Sequence, residues 1–351
     1  MSQGRIRRSV LLSTVTFSGS SFIVHDQLAA INVVFDYTYD SLAYDTLGGS
    51  STTGFFTEGV TYADGSTGDE RRAALEHAAS FYENAFSDTL SAINPTGGIN
   101  SWNAALVDPS GNENITISNL QLDENEVRIF VGAQEVAPAA FAGPGAYQVF
   151  PDTEFADTVL NRGQGTTIGP EADDYSLWGG IITFNSNLTA GGQNFDWNFS
   201  LDESDLDFQE VDFLSVAVHE LGHVFGFGSA NSFDNLVTSI EGELFFTGDN
   251  AVSEFGGELV PLDDIAGHFE DGLLGNSLAL DPSITLGTRN LLQALDYAVF
   301  ADLGWDVDPS LLGIDVDDPI SVPTPTAAAS MLLLLGVMLT RRSSDTIRQI
   351  T

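Results

Sequence analysis

Val211 to Phe227 read VDFLSVAVHELGHVFGF, and the rest of the chain is best understood outward from this stretch. Asp212 stands where a helix N-cap belongs, and Phe213, Leu214, Val216 and Ala217 supply the apolar side of the helix behind it. On such a helix His219 and His223, one turn apart, share a face, so both imidazoles reach one ion. Glu220 is turned away from that pair around the axis. The HExxH spacing therefore separates two roles: neutral nitrogen donors suited to zinc, and a carboxylate left free to handle water. Gly226 follows at a position suited to a turn.

Zinc lowers the pKa of a bound water and polarises a peptide carbonyl, while Glu220 takes the water proton and later delivers a proton to the leaving amine. A catalytic zinc needs three protein ligands and one open position. Besides the helix pair the chain has only His25, His77 and His268. His25 falls in a segment expected to be removed, and His77 falls within an early helix. His268, in DDIAGHFEDG, is the expected third ligand, carried back to the helix by a loop. A carboxylate, Asp263 or Asp264, is the chemical alternative.

The composition narrows the classes of partner. Asp and Glu number 50 against 11 basic residues, for a formal net charge of -39. Residues 30 to 325 carry five of the arginines in an otherwise acidic body, which repels phosphates and makes nucleic acid a poor partner. No cysteine is present, so disulfides, thiolate metal sites, cysteine nucleophiles and latency through a thiol on zinc are all excluded. A monomer acting on polypeptide is the expectation.

The expected class is α+β, with a mixed N-terminal sheet, a backing helix and the helix of the HExxH motif, followed by an irregular or helical C-terminal part. Ile31 to Tyr39 reads as the first strand, and Thr67 with Glu70 forms a capping box ahead of a helix from about Asp69 to Phe86. Ile115 to Ser118, Val127 to Val131 and Leu177 to Leu188 read as strands. The stretches 95 to 112 and 138 to 170 read as loops or poorly regular insertions. A further helix runs through Leu291 to Ala301, with Gly304 to end it.

His219, Glu220, His223 and Gly226 resemble the first part of the HExxHxxGxxH motif of metzincin zinc metalloproteases. Ser229 stands where their third histidine would be, so the segment looks like the leishmanolysin-like variation, HExxHxxGF with a distant histidine, the place His268 takes here. The family's later methionine turn corresponds to NSLALDPS, where Leu280 or Ala279 replaces the methionine. DYAVFADLGWDV, Asp296 to Val307, is similar to the terminal helix of secreted bacterial relatives of this group. The resemblance implies a zinc endopeptidase, and it makes GGIITFNSNL, Gly179 to Leu188, the edge strand that pairs with extended substrate. The alternative is an extracellular matrix or adhesion protein whose metal site is degenerate and non-catalytic.

The ends read as processing segments, giving a division into 1–30, 31–310, 311–325 and 326–351. Arg5 to Arg8 followed by an apolar stretch has the order of a secretory signal, with Ala29 and Ala30 near its end. Val322-Pro323-Thr324-Pro325, the apolar run Ala327 to Leu339 and Arg341-Arg342 resemble the tripartite sorting signal that exosortase-type machinery reads in Gram-negative bacteria. Thr324 stands where glutamate is usual. These ends imply a secreted or outer-surface protein, transiently anchored through its C-terminus. Asp302, Asp306, Asp308, Asp315, Asp317 and Asp318 offer oxygen ligands for a structural Ca2+, although no calcium-loop spacing is present.

Overall fold

Asn32–Asp36 forms the first strand, β1, and a long connection leads from it to helix α1, Gly68–Ala85. In the computed structural model, which describes residues 31–45, 47–49, 51–150, 153–190, 192–313 and 333–334, the capping box closes as its spacing requires. Thr67 Oγ1 accepts from the Glu70 backbone N–H at 3.2 Å, and the Glu70 carboxylate accepts from the Thr67 N–H at 2.8 Å. Leu75, Ala78, Ala79, Tyr82 and Ala85 form the buried stripe that follows.

Strands β2 (Glu126–Gln134), β3 (Ala140–Pro144) and β4 (Gly179–Asn185) join β1 in a four-stranded sheet of order β1-β2-β4-β3. β1, β2 and β4 run parallel, and β3 is antiparallel to β4. This order corrects the expectation that Gly179 to Leu188 supplies the sheet edge. Ile181 pairs with Phe130 on one flank and with Gly143 on the other, and every residue of β4 is buried. A continuous apolar run such as Ile181 and Ile182 beside Phe184 fits an interior strand covered on both faces.

The edge beside β4 is β3, inside a stretch that reads as a loop because Ala140, Ala142 and Gly143 have little strand preference of their own. The same correction applies to its neighbours. Trp102–Val107 pairs antiparallel with Asn114–Ser118 and with Ala146–Val149 in a second, three-stranded sheet, and Glu154–Asn161 is a helix capped by Thr153. Trp102 and Trp178 meet edge to face, with centroids 5.9 Å apart, in the apolar cluster beneath this sheet.

Helix α2, Phe213–Val224, is buried along its whole length and packs on α1, β3 and β4. Its carbonyls are claimed by side chains from other parts of the chain. The Tyr82 hydroxyl donates to Val218 O at 2.6 Å, the Tyr175 hydroxyl to Val224 O at 2.9 Å, and Trp305 Nε1 to Phe225 O at 2.9 Å. The last two bonds satisfy the helix end in a place water does not reach.

Beyond α2 the chain is less irregular than expected. Val237–Ile240, Glu243–Phe246 and Val260–Leu262 form an antiparallel sheet before helix α3, Ala294–Asp302. Gly304, at φ +110°, turns the chain out of α3 so that Trp305 stacks on Phe86 at 4.7 Å. The whole is a mixed α+β fold with several sheets and helices. Among the described residues no helix is long and apolar enough to cross a membrane. The expected signal segment with His25, Asp315, Asp317 and Asp318, and the Val-Pro-Thr-Pro stretch lie outside the described residues, as does the C-terminal apolar segment apart from Leu333 and Leu334.

Candidate metal centre

The helix that carries the histidine pair is fixed at its start by charge. Asp212 is the N-cap, its Oδ2 accepting from the Ser215 N–H at 3.1 Å. Arg289 grips the same carboxylate with two bonds, Nε to Oδ2 at 3.0 Å and Nη2 to Oδ1 at 2.8 Å. The guanidinium is held in turn by Ser200 O at 2.7 Å and Leu201 O at 2.9 Å. Sequence reading singles out Asp212 but misses Arg289, whose only signal is to be one of five cations in an acidic body.

Below this anchor the structure brings His219, His223 and His268 together, each 0 to 2% exposed, with one ring nitrogen of each within 4.8 Å of the others. The outer nitrogens all face oxygen. His219 Nδ1 lies 2.8 Å from Ala279 O, His223 Nδ1 3.0 Å from Phe227 O, and His268 Nδ1 2.9 Å from Asp263 Oδ2. A carbonyl only accepts, so Nδ1 of His219 and of His223 carries the proton, and each neutral ring turns a bare Nε2 inward.

Those two Nε2 atoms stand 3.0 Å apart. Two facing lone pairs at that distance repel unless a cation lies between them. Protonating a ring is opposed by the surroundings: burial, with the neighbouring imidazoles, holds His219 well below the ordinary histidine range and pushes His223 down to about 3. His268 Nε2 is buried with no hydrogen-bond partner. Three buried imidazoles with orphaned or opposed inner nitrogens are the donor set a divalent ion such as zinc takes.

Two glycines let this cluster form. Gly228, at φ +67°, lies so close to the loop bearing His268 that a Cβ there would stand 2.8 Å from Gly267 O. Gly222, between the two helix histidines, leaves room for Leu280, whose Cδ1 would be 2.7 Å from a Cβ at that position. Leu280 is fully buried against the helix, and its neighbour Ala279 supplies the carbonyl that orients His219. The two residues proposed for the missing methionine thus have different tasks: Leu280 fills space under α2, and Ala279 contributes backbone.

Glu220 is 1% exposed, and its Oε2 is buried without a hydrogen-bond partner. Burial pushes its carboxyl up to about 8. Asp263 does not join the three nitrogens; it stands behind His268 and accepts from its ring. Asp264 and His77 are exposed and lie apart from the cluster. Two of the three calcium candidates that can be placed are used locally. Asp302 accepts from the N–H groups of Asn250 and Ala251, 2.9 and 2.8 Å away, and Asp308 from that of Ser310 at 2.9 Å. Among the described residues the three histidines are the one group of three or more potential ligands that converges. No family model matches this chain, and no curated protein matches it.

Proposed function

We propose that the protein is a zinc-dependent endopeptidase in which His219, His223 and His268 hold the ion and Glu220 serves as general base. What carries the reading is the inward convergence of three buried imidazoles whose outer nitrogens are already committed to oxygen acceptors. Zinc, when bound, supplies a Lewis acid that polarises a peptide carbonyl and acidifies water. The chain's own part is to hold the three nitrogens fixed, to exclude bulk water from the buried side, and to accept a proton on the Glu220 carboxylate. That carboxylate then returns the proton to the amine of the broken peptide bond. The HExxH spacing supports the choice of reaction, since it places the base on the same rigid helix as two ligands. The arginine-led N-terminus and the Val-Pro-Thr-Pro tail extend the proposal to an exported, surface-sorted enzyme.

A second reading, a metal-binding module without turnover, draws on the burial of Glu220, which is 1% exposed and whose Oε2 has no hydrogen-bond partner. One experiment separates the two. Hydrolysis of an unstructured polypeptide is followed with wild-type protein, after chelation, and after zinc is restored. An endopeptidase loses and regains turnover, and Glu220→Gln lowers it by about 100-fold or more with zinc retained. Wild-type turnover in Glu220→Gln overturns the assignment of the base, and zinc binding without any turnover leaves the second reading.

A further inference from the structure

The third imidazole differs from the other two in what stands behind it. His219 and His223 are backed by the neutral carbonyls of Ala279 and Phe227, and they ride on a buried helix. His268 rides on a loop and is backed by a carboxylate, with Asp263 Oδ2 2.9 Å from its Nδ1. The two oxygens of Asp263 divide their work. Oδ1 accepts from the Gly267 N–H at 2.7 Å and the Ile265 N–H at 3.2 Å, which shapes the turn, while Oδ2 is left for the ring. The Asp263 N–H donates to His268 O at 3.0 Å and closes the same loop, whose Ala266 sits at φ +53°.

We propose that Asp263 is the positioning residue of this metal centre: its carboxylate holds His268 in the Nδ1–H form and thereby presents Nε2 to the ion. The proposal rests on the zinc reading given above and adds to it the residue that orders the loop-borne ligand. A carboxylate acceptor polarises the Nδ1–H bond, makes Nε2 a stronger donor, and sets one negative charge behind a ligand of a dication. It does for a ligand on a loop what α2 does for the helix pair, which needs no charged partner.

The test uses the full chain as wild type, Asp263→Asn and Asp263→Ala, with zinc affinity measured by competition against a chromophoric chelator near pH 7.5. Long-range proton–nitrogen NMR of the histidine rings in the metal-free protein is the second readout. In wild type the His268 ring is expected as a single Nδ1–H tautomer. Asp263→Asn, which keeps an acceptor for the turn, is expected to weaken zinc binding by about 10- to 100-fold. Asp263→Ala is expected to weaken it at least as much and to show mixed tautomers at His268. Zinc affinity within twofold of wild type in Asp263→Asn overturns the proposal while leaving the zinc reading intact. An Nε2–H tautomer in wild type also overturns it, and that measurement needs no variant to fold. A wild-type protein that does not bind zinc at all overturns both.

Discussion

Replacing Gly228 with alanine tests whether one close backbone approach is what delivers the third histidine to the helix pair. Two costs are read from the structure. Gly228 has φ +67°, a conformation that costs an L side chain about 1 kcal/mol or slightly more. The new Cβ would also stand 2.8 Å from Gly267 O and 3.1 Å from Gly267 Cα, so the loop bearing His268 must give way by several tenths of an ångström. Gly59 isolates the first cost: its φ is +71°, and nothing lies within 4 Å of its would-be Cβ. Gly59→Ala is expected to lower stability by about 1 kcal/mol and to leave zinc binding unchanged. Gly228→Ala is expected to lose about 1 to 2 kcal/mol beyond that, from the overlap, and about tenfold or more in zinc affinity. Urea denaturation of the metal-free proteins gives the stabilities, and chelator competition gives the affinities. If Gly228→Ala matched Gly59→Ala in both, the contact between residues 228 and 267 would not be what positions His268.

Three further outcomes follow from named contacts. Arg289→Ala leaves Asp212, itself 0% exposed, without its two guanidinium bonds at the start of α2, and is expected to destabilise by about 3 to 5 kcal/mol in urea denaturation. Zinc at about one hundred times its dissociation constant is expected to raise the stability of the wild type by about 2.7 kcal/mol, and that of His219→Ala or His223→Ala far less. Burial pushes Asp88 up to about 6 from an ordinary 3.8, so its carboxyl keeps a proton in the folded chain that the unfolded chain has released. The contribution is fully present below about pH 4 and is lost as pH rises through 6. Asp88→Asn should therefore gain up to about 2 kcal/mol on wild type between pH 4 and 7, seen as a flatter profile of stability against pH.

The fold and the centre were legible to different depths in the chain. Thr67 with Glu70, Asp212, and the four-residue step from His219 to His223 are all local patterns. The 3.6-residue period and the first unpaired N–H groups of a helix fix their geometry whatever surrounds them. β4 was recognisable as a strand from Ile181, Ile182 and Phe184, but its place in the sheet was not. Whether a strand has one neighbour or two depends on a partner such as β3, whose Ala-Gly-Pro composition carries almost no strand signal.

What the amino-acid sequence determined by itself is therefore the helix, its cap and the spacing of two imidazoles and a carboxylate along it. His268 could be nominated by elimination among five histidines, but only the tertiary structure carries it to the pair, through a glycine at 228 that admits the Gly267 backbone. Only the tertiary structure likewise sets Arg289 on Asp212, Leu280 under Gly222 and Asp263 behind His268. The physical reason is common to all of them. A helix turn is closed by hydrogen bonds between near neighbours, whereas these contacts depend on where loops end up once the core has packed, and no short-range periodicity records that.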